Sequence, residues 1–137
     1  MRLATGDNHT ISIREGLAIC QVWSRPDLSA EDGAKNAAQM VECLTTQVLH
    51  ARSPYRGIVF DVRRGPPVFG PKTRETLSNL VNLAGKSGVP LAVLVGDSPI
   101  QLLQFRNLCR ESPGRADVFS DEVSAFLWFD SKAAAGT

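Results

Sequence analysis

The pattern of apolar and polar positions predicts a β-hairpin near the start of the chain. Residues 10–14 alternate between the two kinds, as a half-buried strand does. Residues 17–23 are apolar at every position except Gln21, which is typical of a strand buried on both faces. Glu15-Gly16 lies between them and fits a tight turn. We therefore expect two antiparallel strands, the second more deeply buried than the first.

Helical spacing replaces alternation after residue 29. Apolar residues from Ala34 to Val48 recur every three or four positions, and Ser29 followed by Asp32 resembles a capping box. This pattern predicts a helix over about residues 30–50. Its length suits a crossover that returns the chain to begin a parallel strand.

The stretch 57–77 organises the rest of the chain. An apolar, β-branched run at residues 58–63 precedes a loop from Gly65 to Gly70 that is rich in glycine and proline, and an amphipathic pattern begins at Pro71. This order predicts strand, loop and helix. In a parallel sheet such a loop lies at the carboxyl end of its strand, where binding sites usually lie. We expect any site to be here.

Two further strand and helix pairs complete the pattern. Residues 91–95 are apolar on both faces, which predicts a central strand, and Ser98-Pro99 fits the start of the helix that follows. Residues 116–119 and the segment after Ser120 predict a last strand and helix.

The order of elements, ββαβαβαβα, predicts one α/β domain with a five-stranded, mostly parallel mixed sheet. We expect an ordered region over about residues 10–129 and a frayed tail at 131–137. On the last helix, Val123, Phe126 and Leu127 are expected to face inward. The predicted core includes Ile13, Ile19, Val22, Val41, Leu44, Ile58, Phe60, Leu77, Leu80, Leu91, Val93, Phe105, Val118 and Leu127.

Length and composition are those of one ordinary soluble domain. The chain has 137 residues, of which 43% are hydrophobic and 21% charged. The longest apolar run, residues 91–95, is too short to span a bilayer, and the first residues lack the apolar core of a secretory signal. We therefore expect a cytoplasmic location without a membrane span. The net charge of +1 argues against a general nucleic-acid binder.

The cysteines and histidines form no recognisable metal or redox motif. Cys20, Cys43 and Cys109 are odd in number and widely spaced, and their apolar neighbours indicate buried, reduced thiols. His9 and His50 have no partners at metal-ligand spacing. We expect neither a metal nor a cofactor.

In element order and spacing the chain resembles the STAS family, the fold of SpoIIAA-like anti-sigma factor antagonists, over nearly its whole length. In that family the strand before the organising loop ends in an Asp, as Val59-Phe60-Asp61-Val62 does here. The family's loop then enters its helix through an Asp-Ser-Ser-Gly-like segment that carries a phosphorylatable Ser. The corresponding stretch here, Phe69-Gly70-Pro71-Lys72-Thr73, lacks that Ser.

This resemblance implies a STAS-like fold and a role in protein–protein regulation. Thr73 is the one hydroxyl near the position of the family's Ser, so it is the candidate phosphoacceptor. Its other interpretation is an exposed residue in the first turn of a helix.

The candidate binding residues lie where two strands run into helices. Asp61 is a candidate to orient a ligand, although a carboxylate at a strand end is at least as often a turn former. Ser98 before Pro99 is better explained as a helix cap than as a nucleophile, because neither histidine is expected nearby. The predicted partner- or ligand-binding residues are Asp61, Arg63, Arg64, Phe69, Lys72, Arg74, Asp97 and Ser98.

Basic residues concentrate around the same stretch. Residues 52–74 carry six lysines and arginines against the single acid Asp61, in a chain whose net charge is only +1. We expect several of them to surround the positive end of the helix that starts at Pro71 and to receive an acidic partner segment or a phosphate-bearing ligand. The alternative is a solvated basic face. The six residues are Arg52, Arg56, Arg63, Arg64, Lys72 and Arg74.

Two classes of function remain open. The leading one is a non-enzymatic regulatory module that docks a protein partner, such as an anti-sigma factor, a kinase or a larger signalling assembly; self-association as a homodimer also stays open. The other is a carrier or sensor that holds a small anionic or lipidic ligand, using the loop after residues 58–63 and the loop at residues 96–98. The sequence contains no recognisable catalytic constellation, so we expect no enzymatic activity.

Overall fold

A six-stranded sheet forms the centre of the computed structural model, which describes residues 2–50, 55–66 and 68–130. The first three strands form an antiparallel meander, and the third to the sixth run parallel. The strands lie side by side in chain order: β1 (Arg2–Thr5), β2 (His9–Arg14), β3 (Leu17–Trp23), β4 (Gly57–Arg64), β5 (Leu91–Leu94) and β6 (Ala116–Phe119).

The helices divide unequally between the two faces of this sheet. They are α1 (Ala30–Leu44), α2 (Pro71–Lys86), α3 (Pro99–Arg110) and α4 (Glu122–Asp130). Apolar residues of α1, α2 and α3 pack in one large core on one face, while α4 packs with alternate residues of β3, β4 and β5 on the other. The α1 helix continues into a π-helical turn, Thr45–Leu49.

Local chemistry explains where the elements begin. Glu15 and Gly16 both have positive φ, 54° and 80°, which is the turn geometry that matches the twist of a two-stranded hairpin. The side-chain oxygen of Ser29 accepts a hydrogen bond from the backbone N–H of Asp32, at 3.1 Å, and caps α1. Pro71 occupies the first turn of α2, where a missing N–H costs nothing. These starting points agree with the sequence prediction.

The structure confirms an α/β domain with a mixed sheet but corrects the number of strands from five to six. The additional strand is β1, which pairs with β2 through Ala4 opposite Ile11 and Thr5 opposite Thr10. Its four residues carry little alternation of their own, so the strand depends on this pairing rather than on its local pattern.

The prediction for the last helix was correct for Phe126, which is half-buried and packs against the core on this face of the sheet, and wrong for Val123 and Leu127. Val123 and Leu127 are 69% and 63% exposed, whereas Ala125 and Phe129 are buried. This helix is apolar around most of its circumference, so no helical period selects one face.

The rest of the predicted core lies in the interior. Leu44, Ile58, Phe60, Leu77, Leu80, Leu91, Val93 and Phe105 are buried, and Ile13, Ile19, Val22, Val41 and Val118 are half-buried. Arg52 and the predicted tail at 131–137 lie outside the described residues. Within the described part of the chain, no helix combines the length and the apolar character needed to cross a bilayer.

Candidate functional site

A cavity of about 590 Å³ lies between the N-terminal halves of α1 and α2. Residues at the carboxyl ends of β3 and β4 contribute to its wall, together with the start of β2. Because α1 and α2 each follow a parallel strand, both helices begin at the same edge of the sheet. The cavity therefore lies at the place where ligands bind in open α/β sheets.

Small residues on α1 leave the space for this cavity. Ala30, Gly33, Ala34 and Ala37 all line it, so one side of the first two turns of α1 presents little side-chain bulk. A Cβ atom built on Gly33 would have no neighbouring atom within 4 Å. A larger residue would fit at this position, and the space is a consequence of the sequence of α1.

The rest of the cavity wall is largely apolar and well anchored. Met40, Phe60, Leu77 and Phe105 are buried and line the cavity. The ring of Phe105 packs against Phe60, with 5.8 Å between ring centroids, and against Phe69, at 5.2 Å. The contact with Phe60 is edge-to-face and the contact with Phe69 is tilted, and together they hold the rings in place, so this part of the wall is preformed.

His9 is the unusual polar residue of the cavity wall. It is 3% exposed, and its Nδ1 atom has no hydrogen-bond partner among the described residues. Burial lowers the pKa of its imidazole, although the nearby charge of Asp7 acts in the other direction. A Cβ atom at Gly6 would lie 2.2 Å from the His9 ring, so a glycine is needed there. His9 therefore has a lowered pKa and an Nδ1 atom without a hydrogen-bond partner among the described residues.

Asn36 is also buried in this wall, and both polar atoms of its side chain have hydrogen-bond partners. Its side-chain oxygen accepts a hydrogen bond from the backbone N–H of Asp7 at 3.1 Å, and its amide donates to the carbonyl of Asp32 at 3.0 Å. These bonds tie the loop before β2 to α1. Each polar atom of the Asn36 side chain thus has one partner, and the residue positions the neighbourhood of His9.

Three charged residues line the cavity, and two of them have partners. Arg25 forms an ion pair with Asp27, and Glu31 pairs with Lys35 at 3.8 Å. Lys72 forms no ion pair with any described residue. Lys72 is therefore the uncompensated charge in the described part of the lining.

The structure brings together only part of the predicted site. Phe69, Lys72 and Thr73 line the cavity, where Thr73 is half-buried in the first turn of α2. The candidate phosphoacceptor Thr73 thus lies in the cavity wall. It is not the fully exposed first-turn residue of the alternative interpretation.

Asp61 and Arg63 lie on the other face of the sheet. Side chains alternate along β4, so Phe60 and Val62 face the cavity while Asp61 and Arg63 face α4. Arg63 binds Asp61 at 2.7 Å and Glu122, in the first turn of α4, at 2.8 Å. Burial by itself raises the pKa of Asp61, but the hydrogen bonds and charge of Arg63, with a hydrogen bond from Gln21, outweigh it and hold the pKa below its usual value.

The expected concentration of positive charge at the start of α2 is present only in part, because Lys72 and Arg74 lie in its first turn but Arg56 and Arg63 do not. Arg56 lies just before β4, at the opposite end of the sheet, where it pairs with Asp130 and donates to the carbonyl of Glu15 at 2.9 Å. Arg63 is paired on the other face, and Arg74 pairs with Glu111 at 3.2 Å. These arginines are close in the sequence but lie at different ends and faces of the sheet, which the sequence alone does not show.

The second predicted loop is a structural connection. The Ser98 side chain accepts a hydrogen bond from the Gln101 N–H at 3.2 Å and caps α3, while Asp97 is exposed. The Gln101 side chain accepts from the Gly96 N–H at 2.9 Å and donates to the Val62 carbonyl at 2.8 Å. Gln101 therefore joins the carboxyl ends of β4 and β5, and neither Asp97 nor Ser98 lines the cavity.

Sequence reasoning missed His9 as a site residue. The expected strand began at residue 10, whereas β2 begins at His9. His9 continues the alternation of Ile11 and Ile13, and this alternation was the available signal that its side chain faces the helices.

The thiols give no sign of reactive chemistry. Burial raises the pKa of Cys20, Cys43 and Cys109, which keeps each thiol protonated. Within residues 2–50, 55–66 and 68–130, no cluster of three or more His, Cys, Asp or Glu side chains is arranged to hold a metal ion.

No family model matches the chain, and no curated protein matches it. Among solved structures, the chain is similar to the NMR structure of the protein TM1081, with 15% sequence identity and a TM-score of 0.64. The match covers 89% of this chain and 88% of TM1081. At this identity the likeness establishes a shared fold and carries no information about function.

Proposed function

We propose that this protein is a non-enzymatic binding module that holds a small ligand in the cavity between α1 and α2, as a carrier or sensor. The observation that carries this proposal is the cavity itself, which is about 590 Å³, largely apolar and open at the ligand-binding edge of the sheet. Ligand sites in proteins have volumes of roughly 300–1,000 Å³ and are mostly apolar, with a few placed polar groups.

An apolar space of this size is costly for a small domain to keep. The side chains that line it lose the packing contacts that protein interiors normally provide. A Cβ atom at Gly33 would meet no atom within 4 Å, so a side chain there could reduce the space. A bound ligand would restore these packing contacts, and this gain would favour binding.

The cavity wall supports binding rather than catalysis. His9 and Thr73 both line it, but among the described residues the His9 ring has no hydrogen bond to a hydroxyl or a carboxylate. A hydroxyl nucleophile needs a base within hydrogen-bond reach. Carrier or sensor activity is thus the function we assign to the cavity.

Native mass spectrometry of freshly purified protein tests this proposal. We expect a co-purifying small molecule, or binding of a neutral apolar dye, and we expect Gly33→Phe to abolish either one. Ala38→Phe is the matched control, because Ala38 is exposed on α1 and does not line the cavity. If the wild-type protein binds neither a co-purifying molecule nor the dye, the proposal is wrong.

A second candidate function is docking of a protein partner beside the same edge of the sheet. Val68, Ile100 and Leu103 are each more than half exposed, and Ile100 and Leu103 lie one turn apart on α3. The hydrogen bond from Gln101 to the Pro66 carbonyl, at 3.4 Å, places the start of α3 next to the loop before α2. This apolar surface fits the regulatory role that the STAS resemblance implies.

The docking candidate has a separate test. Combined Ile100→Glu and Leu103→Glu should abolish capture of a partner while leaving dye binding in the cavity intact. Arg64→Glu should slow association with an acidic partner, because Arg64 is exposed and forms no ion pair with a described residue. Unchanged capture in the Ile100 and Leu103 variant would contradict docking through α3.

A further inference from the structure

Resting on the docking function proposed for the surface of α3, we infer that its partner is a second copy of this chain. The two α3 helices pair antiparallel about a two-fold axis, with Leu103 near the axis, and Asp97 of each copy lies beside Arg110 of the other. The ligand cavity takes no part in this pairing, because none of Asp97, Ile100, Leu103 and Arg110 lines it.

The exposed side of α3 is one stripe that runs along the whole helix. Ile100, Leu103, Asn107 and Arg110 are all exposed and follow one another at spacings of three, four and three residues. Residues at these spacings lie on one side of an α-helix. Ile100 and Leu103 are 54% and 59% exposed, so the first half of the stripe is apolar.

The two ends of α3 carry opposite charges. Asp97 is exposed and comes just before the residue that caps the helix, whereas Arg106 and Arg110 are exposed in its second half. None of these three forms an ion pair with any residue in the described part of the chain. Glu111, which follows at the C-terminal end, is already paired with Arg74, so the charge at this end is positive.

This distribution of charge is complementary to itself. In an antiparallel pair the start of one helix lies beside the end of the other, so a two-fold axis brings an acid against a base twice. Asp97 and Arg110 lie six and seven residues to either side of Leu103, which places both about 10 Å from an axis at Leu103. Asp97 of one copy therefore comes opposite Arg110 of the other.

Apolar contacts at the centre of the pair supply further attraction. Leu103 packs on Leu103 of the second copy, and Ile100 packs beside it, which removes apolar surface from water. The exposed side of one helix is smaller than the roughly 800 Å² that each partner buries in a standard interface. The dimer is therefore weak, and its population depends on the protein concentration.

The exposed apolar pair on α4 does not have this complementarity. Val123 and Leu127 are 69% and 63% exposed. The two ends of α4 carry the acids Glu122 and Asp130, and its sequence contains no lysine or arginine to pair with them in a second copy. A second copy thus fits α3, and α4 provides a matched control.

Sedimentation velocity of two charge-reversal variants and of their mixture is the direct test. We expect the wild-type protein to shift from monomer to dimer as its concentration rises. Asp97→Arg and Arg110→Asp should each weaken dimerisation at least tenfold, because each reversal brings like charges together at both symmetric contacts. An equimolar mixture of the two variants should dimerise within threefold of the wild type, since each reversed residue then faces an opposite charge.

The mixture also controls for folding, because two damaged proteins would not regain affinity for each other. Melting temperatures close to that of the wild type confirm that each variant is folded. Folded variants that stay monomeric in the mixture, or single reversals that dimerise as the wild type does, would overturn the inference.

Matched substitutions on α3 and α4 test the apolar centre. Leu103→Glu should weaken dimerisation at least tenfold, because two glutamates would meet near the axis. Leu127→Glu, at a residue of similar exposure on α4, should leave dimerisation unchanged. Equal effects of the two substitutions would contradict pairing through α3.

Cross-linking locates the axis. A short bismaleimide should join two copies of Leu103→Cys and should not join two copies of Leu127→Cys. The native Cys20 and Cys109 are buried and Cys43 is half-buried, so the wild-type protein gives the background. Equal cross-linking of the two variants would contradict the antiparallel register.

The outcomes distinguish this inference from the proposed function. A wild-type protein that stays monomeric throughout the concentration series overturns the second copy as partner. If that monomer captures a different protein, and combined Ile100→Glu and Leu103→Glu prevents the capture, docking through α3 remains while this inference is wrong. If the protein neither dimerises nor captures a partner through these residues, docking through α3 is itself wrong, and binding of the neutral dye still decides the function of the cavity.

Discussion

Asp61 and Arg63, two residues apart on β4, form a two-point ion pair on the face of the sheet that α4 covers. The guanidinium Nε and Nη2 atoms lie 2.9 and 2.7 Å from the two carboxylate oxygens, and the Arg63 backbone N–H donates to the same carboxylate at 3.1 Å. Arg63 continues to Glu122, so the pair joins the end of β4 to the start of α4. Two residues predicted for a binding site thus stabilise the fold.

Replacing Arg63 by Ala should therefore destabilise the protein. The Asp61 side chain is only 9% exposed and would lose its main partner, at a cost of about 1–3 kcal/mol. In the wild-type protein the pKa of Asp61 is held below its usual value, so its contribution to stability is present above pH about 4 and is lost as pH falls through the folded-state pKa.

In Arg63→Ala this pH dependence should reverse. Burial is then the dominant influence and raises the pKa of Asp61, so stability falls as pH rises above the ordinary Asp pKa of about 3.9. Urea denaturation at several pH values measures both slopes. The double variant Arg63→Ala with Asp61→Asn is the control and should lose the reversed slope. A slope in Arg63→Ala equal to that of the wild type would contradict the pairing.

Two helical glycines should respond in opposite directions to the same substitution. Gly33 lies in α1 with open space around its Cβ position, so Gly33→Ala should raise the free energy of unfolding by about 0.5–1 kcal/mol. A Cβ atom at Gly85 in α2 would lie 2.6 Å from the Ser112 hydroxyl and 2.8 Å from the backbone of Gly114. Gly85→Ala should therefore destabilise by about 1–3 kcal/mol.

Chemical denaturation of both variants, measured side by side, tests this pair. Since the substitution and the type of element are the same, helix propensity alone would stabilise both proteins equally. A gain in stability for Gly85→Ala would show that α2 does not approach the loop after α3 as closely as described.

The order of helices and of the hairpin and parallel strands could be predicted because each pattern is local. Ser29, Pro71 and Ser98 mark helix starts through chemistry that operates within one turn. The strand β1 could not be predicted in this way, because Leu3 alone offers no alternation and the strand forms by pairing with β2. The inward face of α4 could not be predicted either, because its residues are apolar on nearly every side.

The candidate site was predictable only to the level of the loop. Phe69, Lys72 and Thr73 follow β4 in the chain and do line the cavity. The cavity itself depends on how far α1 stands from α2, which is a property of packing and not of either sequence segment. His9 enters the wall from a strand more than 60 positions away from Lys72, and no short-range pattern connects the two.

The burial of residues along α4 leads to a further prediction. Leu127 is 63% exposed, so Leu127→Gln should change the free energy of unfolding by less than about 0.5 kcal/mol. Phe129 is buried against the β-sheet, and Phe129→Ala should cost about 3–5 kcal/mol. Thermal and urea unfolding of the two variants provide the comparison. A large loss of stability in Leu127→Gln would restore the original assignment of the inward face.

His9 should titrate below the ordinary histidine pKa of about 6.5. Burial disfavours its protonated form, so the unfolded chain binds this proton more readily and the protein loses stability as pH falls below about 6.5. Asp7→Asn removes the charge that partly offsets burial and should lower the pKa of His9 further. NMR titration of the imidazole checks both statements, and an unchanged or higher pKa in Asp7→Asn would contradict the stated electrostatics.

Thr73 is the expected phosphoacceptor if a kinase acts on this protein. Because Thr73 lines the cavity, its phosphorylation should affect ligand binding there. A phosphate on Thr73 would bring a charge of about −2 to the first turn of α2, where the N–H groups lack a cap and Lys72 lacks a partner. It would also fill part of the cavity that Thr73 lines. Phosphorylation should therefore weaken binding of the neutral apolar dye in the cavity and leave α2 folded.

Because Thr73 is half-buried in the cavity wall, the two events should also compete in the other direction. We expect the neutral apolar dye, bound in the cavity, to slow phosphorylation of Thr73 in a kinase-bearing lysate, as measured by peptide mapping. Thr76 is the internal control, because its hydroxyl donates to the Lys72 carbonyl at 3.1 Å and does not line the cavity. Phosphate found only at other residues would end the assignment to Thr73. Phosphate on Thr73 at a rate that the dye does not alter would show that a molecule in the cavity does not cover Thr73.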